Sequence, residues 1–458
     1  DHLRHGAKPT VVETFFAEFG LSNNEGLALM QLNEALLRVP DDETANELIE
    51  DHLERGAWAG HIGSASSVRV KAASLGLATS KSLLDGPTSA LTRPFVREAT
   101  TRAIGILGEQ FVCGKSIEHG LKRSKRSAYD GCAFSFDMLG EAAQTVVDVE
   151  DYFTAYRDAI EALAGQDEPG ASAQARSGIS VKLSALHPRY EEPQRERVLE
   201  ELVPRVTKLV LAAKALNIGL TIDAEEAARL ELSLDVIEAV FANPELKDWD
   251  GFGVVVQAYS KRASGVIDWL HALAEQHQRS MTVRLVKGAY WDTEIKRAQV
   301  DGLAGFPVFT QKASTDVSYL CCARKLIDGS AWLYPQFATH NAATAAALLA
   351  MKPVAGRYEF QRLFGMGEEL HELVAAETGK GCRIYAPVGN HKTLLAYLVR
   401  RLLENGANGS FVNQIRDPDT PLSEVVSDPF LAPELMQDHP DVAAPARLFG
   451  RSRDNSAG

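Results

Sequence analysis

The sequence predicts an α/β protein, an eight-unit (β/α)8 barrel preceded by an all-helical N-terminal arm. Three observations carry this expectation. From about residue 131, short apolar or β-branched runs alternate with longer amphipathic stretches, and the strand-then-helix units count to eight. Run after run ends on a polar residue, as a barrel with its site at the strand C-termini requires. No GxGxxG or GxxxxGK[ST] loop follows a strand, which weakens the alternative of a doubly wound open sheet.

The elements follow in order. "PTVVETFFAEF", "NEGLALMQLNEALLRVP" and "ETANELIEDHLERGAW" carry helical spacing with acidic outer faces, broken at Pro40 and bracketed later by Pro87 and Pro94. The expected strands are "CAFSFDML", "GISVKLSAL", "IGLTIDAE", "FGVVVQAYS", "MTVRLVKGAY", "YPQFATHNA", "RYEFQRLFG" and "CRIYAPVG". Between them lie helical stretches such as "VPRVTKLVLAAKALN", "LSLDVIEAVFANPEL" and "GVIDWLHALAEQH". The expected organisation is a helical arm over 1–97, a barrel with its preceding helix over 98–413, and a Pro-rich tail over 414–458.

Composition narrows the function. The chain has 458 residues, 45% hydrophobic and 24% charged, enough for a large core. A net charge of −13 argues against a nucleic-acid partner, and the basic run "LKRSKRSAY" (121–129) reads as a solvated loop. Five cysteines without CxxC spacing give no disulfide framework or zinc site. HExxH and GxSxG are absent, as are a signal peptide and a bilayer-length apolar run, so a cytoplasmic enzyme is expected.

The polar strand ends are Asp137, Lys182, Asp223, Gln257, Arg284 with Lys287, His340 with Asn341, Gln361 and Tyr385. Singly each reads as a cap or turn former; a barrel converges them on one mouth. Cationic and amide groups outnumber carboxylates there, so the mouth is expected to be net cationic, suited to an anionic cofactor and a carboxylate substrate. The stretch "RIYAPVGNHKTLLAYLVRRLLENG" adds a helix directly after the eighth strand. Its apolar stripe leaves Tyr397, Arg400, Arg401 and Glu404 on the opposite face, and two adjacent guanidinium groups can grip one small carboxylate. His340 and His391 are isolated, so no metal site is expected.

Several long motifs in one order complete the picture. "FDMLGEAA", "SVKLSALHPRY", "TIDAEEAARLELS", "VRLVKGAYWD", "FATHNA", "YEFQRLFGMGE" and "LLAYLVRRLLENGANGSFVN" resemble the proline dehydrogenase domain of bifunctional proline utilization proteins, strongly over 100–413 and more loosely before. The resemblance implies a distorted (β/α)8 (TIM) barrel that binds FAD without a Rossmann fold. It implies oxidation of L-proline to Δ1-pyrroline-5-carboxylate by hydride transfer to flavin N5, with electrons passed to a membrane quinone. A cytoplasmic enzyme peripheral to the inner face of the membrane follows.

Residue by residue, the resemblance gives Arg400 and Arg401 the proline carboxylate, with Lys182 and Asp223 completing the polar frame. Tyr385, Tyr397, Tyr290 and Leu285 would enclose the ring. Arg284 would face flavin N5, with Gln257 nearby. Val286, Lys287, Gly288, Ala289, Trp291, Thr310, Lys312, Thr339, His340, Asn341, Gln361 and Glu404 would contact FAD. Glu109, in "GEQFV", would pair with an arginine of the clamp. No side chain stands out as a strong general base.

The chain departs from full-length members, which often begin with a ribbon-helix-helix DNA-binding segment and continue into an aldehyde dehydrogenase domain. It has neither of these, so a truncated chain lacking the second reaction and a nucleic-acid partner is expected. The tail resembles the start of a linker to the missing half and is expected to be partly disordered. The competing readings are a methylenetetrahydrofolate reductase-like flavin barrel and a non-catalytic scaffold fragment. The adjacent arginines separate them, because a pterin calls for aromatic stacking and a scaffold needs no carboxylate clamp.

Overall fold

The computed structural model describes residues 2–5, 43–44, 47–49, 111–164, 171–351, 357–379, 381–389, 397, 411–416, 419–435, 437–450 and 452–456. Eight strands close in sequence order into a barrel: β1 (Ala133–Met138), β2 (Gly178–Val181), β3 (Gly219–Ile222), β4 (Phe252–Gln257), β5 (Met281–Val286), β6 (Leu333–Ala338), β7 (Glu359–Leu363) and β8 (Cys382–Val388). The pairs from β1–β2 through β6–β7 are parallel. Helices Val146–Ala164, Arg195–Ala215, Leu230–Phe241, Ala263–Gln276, Lys312–Asp328, Ala342–Ala350 and Glu368–Thr378 alternate with them, and Trp291–Val300 adds a second helix after β5. This is the expected (β/α)8 architecture, with each expected strand segment supplying one strand.

The strands are buried on both faces because helices cover the outside and side chains fill the inside. Val254, Val256, Val283, Leu285 and Phe337 alternate with Gly253, Val255, Thr282, Arg284 and Gln336, and nearly all are under a tenth exposed. The second set carries the polar residues, Thr282, Arg284 and Gln336. The lowest inward layer is an ion pair of Arg383 with Glu359, where Arg383 also donates to the Gln174 (2.7 Å) and Arg176 (2.8 Å) carbonyls. Gly178 begins β2 because a Cβ there would collide with the Gly219 carbonyl of β3.

The chain divides into two compact units, Asp1–Ser116 with Leu363–Leu370 and Pro387–Val425, and Ile117–Arg362 with His371–Ala386 and Val426–Gly458. In the first, Cys113 N–H donates to the Pro387 carbonyl (2.7 Å), and the Arg4 guanidinium donates to the carbonyls of Ile415 (2.9 Å) and Thr420 (2.9 Å). Most of the expected arm over 1–97 lies outside the described residues; those described, at 2–5, 43–44 and 47–49, are helical. In the second unit, "LKRS" ends the helix Ile117–Ser124 rather than opening a loop, because Ile117 and Leu121 bury one of its faces.

Several described residues of the tail have defined partners. His439 N–H donates to Thr310 Oγ1 (2.9 Å), Thr310 Oγ1–H donates to Asp438 (3.1 Å), and Gln299 donates to the Ala443 carbonyl (2.7 Å). Val442 packs against Tyr259, Ile295, Ala298, Phe306 and Val308. One apolar residue and a few backbone groups suffice to seat a segment whose composition alone reads as disordered. Among the described residues, no helix is long and apolar enough to cross a membrane.

Candidate active site

Side chains of period two on parallel strands share the barrel interior. That rule puts Ser135 and Asp137 of β1, Ser180 of β2 with Lys182 just past it, Asp223 just past β3, Arg284 of β5 and Tyr385 of β8 on one inner wall. Arg284 Nη2 donates to Ser135 Oγ (3.0 Å) and Ser180 Oγ (2.9 Å), and its Nη1 donates to Asp223 Oδ1 (2.7 Å). Lys182 Nζ donates to both Asp137 oxygens (2.9 Å each) and reaches Asp223 Oδ2 (3.3 Å). Tyr385 Oη lies 2.7 Å from Asp137 Oδ2 and 2.8 Å from Asp223 Oδ2, and the Arg284 guanidinium sits 5.1 Å from its ring centre.

The charges in this cluster balance, two carboxylates against an ammonium and a guanidinium. Nearby, Asp316 pairs with Lys287 and with Lys312 (2.6 Å). Among the described residues these seven groups carry one net positive charge, with each cation paired to a carboxylate. Counting residue types at strand ends misses carboxylates that pair with those cations across the barrel. Burial pushes the Asp137 carboxyl up, and the neighbouring Asp223 adds to this while Lys182 opposes it. Burial works to discharge Lys182; the Asp137 and Asp223 carboxylates outweigh it and hold the ammonium well above the ordinary lysine range. Burial and the two carboxylates likewise keep the Tyr385 hydroxyl protonated.

A second set of contacts joins the loops after β3, β4 and β5. Gln257 Nε2 donates to the Glu225 carbonyl (2.8 Å), and its Oε1 accepts from Ala289 N–H (3.2 Å). The Glu225 carboxyl meets Ser184 N (3.1 Å) and Oγ (2.5 Å), and burial raises its pKa to about 7. Gly288 holds φ +142°, and a Cβ there would run into the Tyr259 ring, so the backbone from Val286 to Tyr290 passes this point only as glycine. Val286, Lys287, Gly288, Ala289 and Tyr290 are half-buried, and Leu285 is fully buried. Trp291 Nε1 donates to the Phe309 carbonyl (2.9 Å), which ties the helix after β5 to the loop carrying Thr310.

On the opposite wall, Thr339 N–H donates to the Gln361 carbonyl (3.2 Å), and His371 Nε2 lies 2.9 Å from the Thr339 carbonyl. Burial lowers His371 to a pKa of about 4, so it is neutral, with its proton on Nε2 towards that carbonyl. Asn341 caps the helix Ala342–Ala350 by accepting from Thr344 N–H (3.1 Å), and His340 beside it is half-buried. Gln361 is only 1% exposed, and neither atom of its side-chain amide has a hydrogen-bond partner within the protein; Gln336 Oε1 below it has none either. A buried amide in that state calls for a ligand that supplies an acceptor and a donor. Together with Arg284, the Lys287–Asp316–Lys312 group and the glycine approach at Gly288, the wall fits a planar cofactor with a polar edge and an anionic extension. Among the described residues no cluster of three or more His, Cys, Asp or Glu could hold a metal.

Glu109, Arg400, Arg401 and Glu404 lie outside the described residues. Tyr397, in the first unit, is helical and 5% exposed. The structure brings Lys182, Asp223, Arg284 and Tyr385 into direct contact, and joins Gln257 to Ala289. Sequence reasoning placed Asp137 at the mouth without a task, and gave no role to Ser135, Ser180, Glu225, Asp316 or His371. Two of these carried a signal: Asp316 stands four residues after Lys312 on one helix face, and Glu225 stands two after Asp223.

Comparison with known proteins now adds to the geometry. A proline dehydrogenase family model matches residues 120–414, and a model described as the DNA-binding domain of proline dehydrogenase matches residues 11–111. The expectation of no nucleic-acid partner is corrected by the second match, since whole-chain charge does not report on one segment. The chain is 49% identical to the bifunctional protein PutA of Escherichia coli (strain K12), over 98% of this chain and 36% of that one. It is 27% identical to proline dehydrogenase 1 of Bacillus subtilis (strain 168), over 66% of this chain and 88% of that one. A mutant proline utilization A (PutA) of Bradyrhizobium japonicum superposes with a TM-score of 0.77 at 48% identity, over 100% of this chain and 47% of that one. The chain thus spans about a third of the length of its bifunctional curated relative. On these matches, the chain belongs to the proline dehydrogenase family, whose members are oxidoreductases acting on proline.

Proposed function

We propose that the protein oxidises L-proline to Δ1-pyrroline-5-carboxylate with FAD as cofactor, and that a membrane quinone takes the electrons. The barrel over 98–413 is the catalytic unit in this reading. The observation that carries it is the charge-matched cluster of Asp137, Lys182, Asp223, Arg284 and Tyr385 facing a wall with an unpartnered buried amide at Gln361. The first arrangement holds a small zwitterion, and the second accepts the edge of a planar ring.

Gln361, Gln257, Arg284, Lys287, Gly288, Ala289, Thr310, Lys312 and Thr339 are the described residues assigned to the cofactor, with Val286, Trp291, His340 and Asn341 bordering it. When bound, FAD supplies the hydride acceptor. The protein's share is orientation and electrostatics. Arg400 and Arg401 clamp the substrate carboxylate, while Lys182 and Asp223 place charge beside it. Tyr385, Tyr397, Tyr290 and Leu285 keep water from the ring, and Arg284, fixed from below by Ser135 and Ser180, holds a positive charge at the cofactor. The balanced cluster leaves the arginine pair as the net positive charge for the carboxylate.

The test is a visible spectrum of purified protein, followed by L-proline under anaerobic conditions. A flavin band that bleaches on addition is the expected result. A flavin band indifferent to L-proline would rule out the substrate and keep the cofactor; protein that cannot be loaded with FAD would rule out both. Bleached enzyme should recover its colour on addition of a soluble quinone.

A further inference from the structure

Asp137 is the deepest charged group of the cluster, fully buried, and the reading above gives it no task of its own. Its two oxygens lie 2.9 Å from Lys182 Nζ, and one of them lies 2.7 Å from Tyr385 Oη. Lys182 and Tyr385 are the side chains by which the β2 and β8 ends enter the mouth. An ammonium has three protons, and Lys182 finds four oxygens: two of Asp137, then Asp223 Oδ2 and Tyr385 Oη at 3.3 Å each. A phenol has one proton, and Tyr385 has a carboxylate oxygen on either side. The placing of both groups is thus determined from beneath, with the closest contacts made to Asp137.

We propose that Asp137 is a positioning residue for the proline reaction, which keeps the Lys182 ammonium charged and fixes the direction of the Tyr385 hydroxyl without touching substrate. The inference rests on the proposed proline reading. Its physical basis is that a buried lysine loses its charge unless carboxylates outweigh the burial. Asp223 cannot do this alone, since its other oxygen is committed to Arg284. The groups facing Asp137 are Lys182 from β2, Asp223 from β3 and Tyr385 from β8. Arg284 of β5 reaches them through Asp223. Tyr156, from the helix Val146–Ala164, accepts from Lys182 N–H (3.1 Å).

The test is the pH profile of kcat/KM for L-proline in FAD-loaded wild type and Asp137→Asn. The asparagine keeps the shape but removes the charge and one of the two acceptors that Lys182 uses. The expected result is a loss of about 10- to 100-fold at pH 7.5, and an alkaline limb moved down by about one pH unit or more as Lys182 loses its proton earlier. A purely structural role would lower the rate and leave the limb in place, and that result would overturn the inference. Should Asp137→Asn fail to hold FAD, the double variant Asp137→Asn with Lys182→Met removes both buried charges together and decides the matter. Its activity should fall within about threefold of Lys182→Met alone, because coupled residues are not additive. A further tenfold loss would show Asp137 acting by some other route, and the proposal would be wrong. If L-proline does not reduce the wild type, the proline reading and this inference fall together; a reducible wild type with an unmoved limb defeats the inference alone.

Discussion

The two walls of the barrel mouth treat their polar groups in opposite ways. On the wall built by β1, β2, β3, β5 and β8, Asp137, Lys182, Asp223 and Arg284 are all paired within the protein. On the wall built by β6 and β7, the amides of Gln336 and Gln361 are as deeply buried, yet Gln336 Oε1 and both Gln361 side-chain atoms have no partner there. The first wall is pre-organised, its geometry set by its own charges. The second is finished by what it binds. A site that must hold a small substrate still against a large cofactor needs one wall of each kind.

The comparison can be broken most forcefully on the paired wall. Lys182→Met should leave Asp137 buried without its cation and destabilise the fold by about 3–5 kcal/mol, read from urea denaturation. A change below about 1 kcal/mol would mean that the wall is not organised by its charges.

Next in size is the pH dependence, where the walls should differ in sign. Glu225 titrates near pH 7 in the folded protein because it is buried. Its protonated form favours the native state, so the contribution is whole below the unfolded value and fades as pH rises through about 7. The gap is worth on the order of 3 kcal/mol. Glu225→Gln should remove that decline and make the protein relatively more stable at pH 8 than at pH 5. His371, held near pH 4, does the reverse: its contribution is present above the unfolded value and is lost as pH falls through about 4. His371→Asn should flatten the acid side by a similar amount, in thermal melts between pH 4 and 6.5. Equal slopes of one sign in both variants would contradict the assignment.

The smallest effect is the most discriminating. Gln361→Leu should weaken FAD binding by about 10- to 100-fold while leaving the FAD-free protein as stable as wild type or up to about 1 kcal/mol more so. The same substitution on the paired wall could only destabilise. An FAD-free Gln361→Leu protein that melts well below wild type would mean that the amide is satisfied inside the protein.

These walls also show what the sequence could and could not disclose. The eight strands were legible because most are short apolar runs that alternate with longer amphipathic stretches, and the closed barrel preserves that alternation. Lys182, Asp223, Arg284 and Tyr385 were legible as residues of one mouth, since inward positions repeat every second residue. Their pairing was not. Arg284 and Ser135 stand 149 positions apart, and no local pattern says which carboxylate answers which cation across a barrel. The contacts of the tail were likewise not legible: its composition is that of a linker, and a few hydrogen bonds and Val442 tie it to distant residues.

Barrel closure bears on handling as well as on chemistry. "GVVVQ" in β4 and "MTVRLV" in β5 are short, β-prone and low in charge, the kind of segment that stacks on copies of itself when its edge is open. In the folded chain each has a neighbour on both sides and a helix outside, so no edge is offered. The pairings from β1–β2 through β6–β7 are parallel and separated by a crossover, which makes them slow to form. The hazard is therefore confined to the interval before the ring shuts, and low chain concentration during synthesis or refolding should raise the yield of intact barrels more than any additive that stabilises the finished protein.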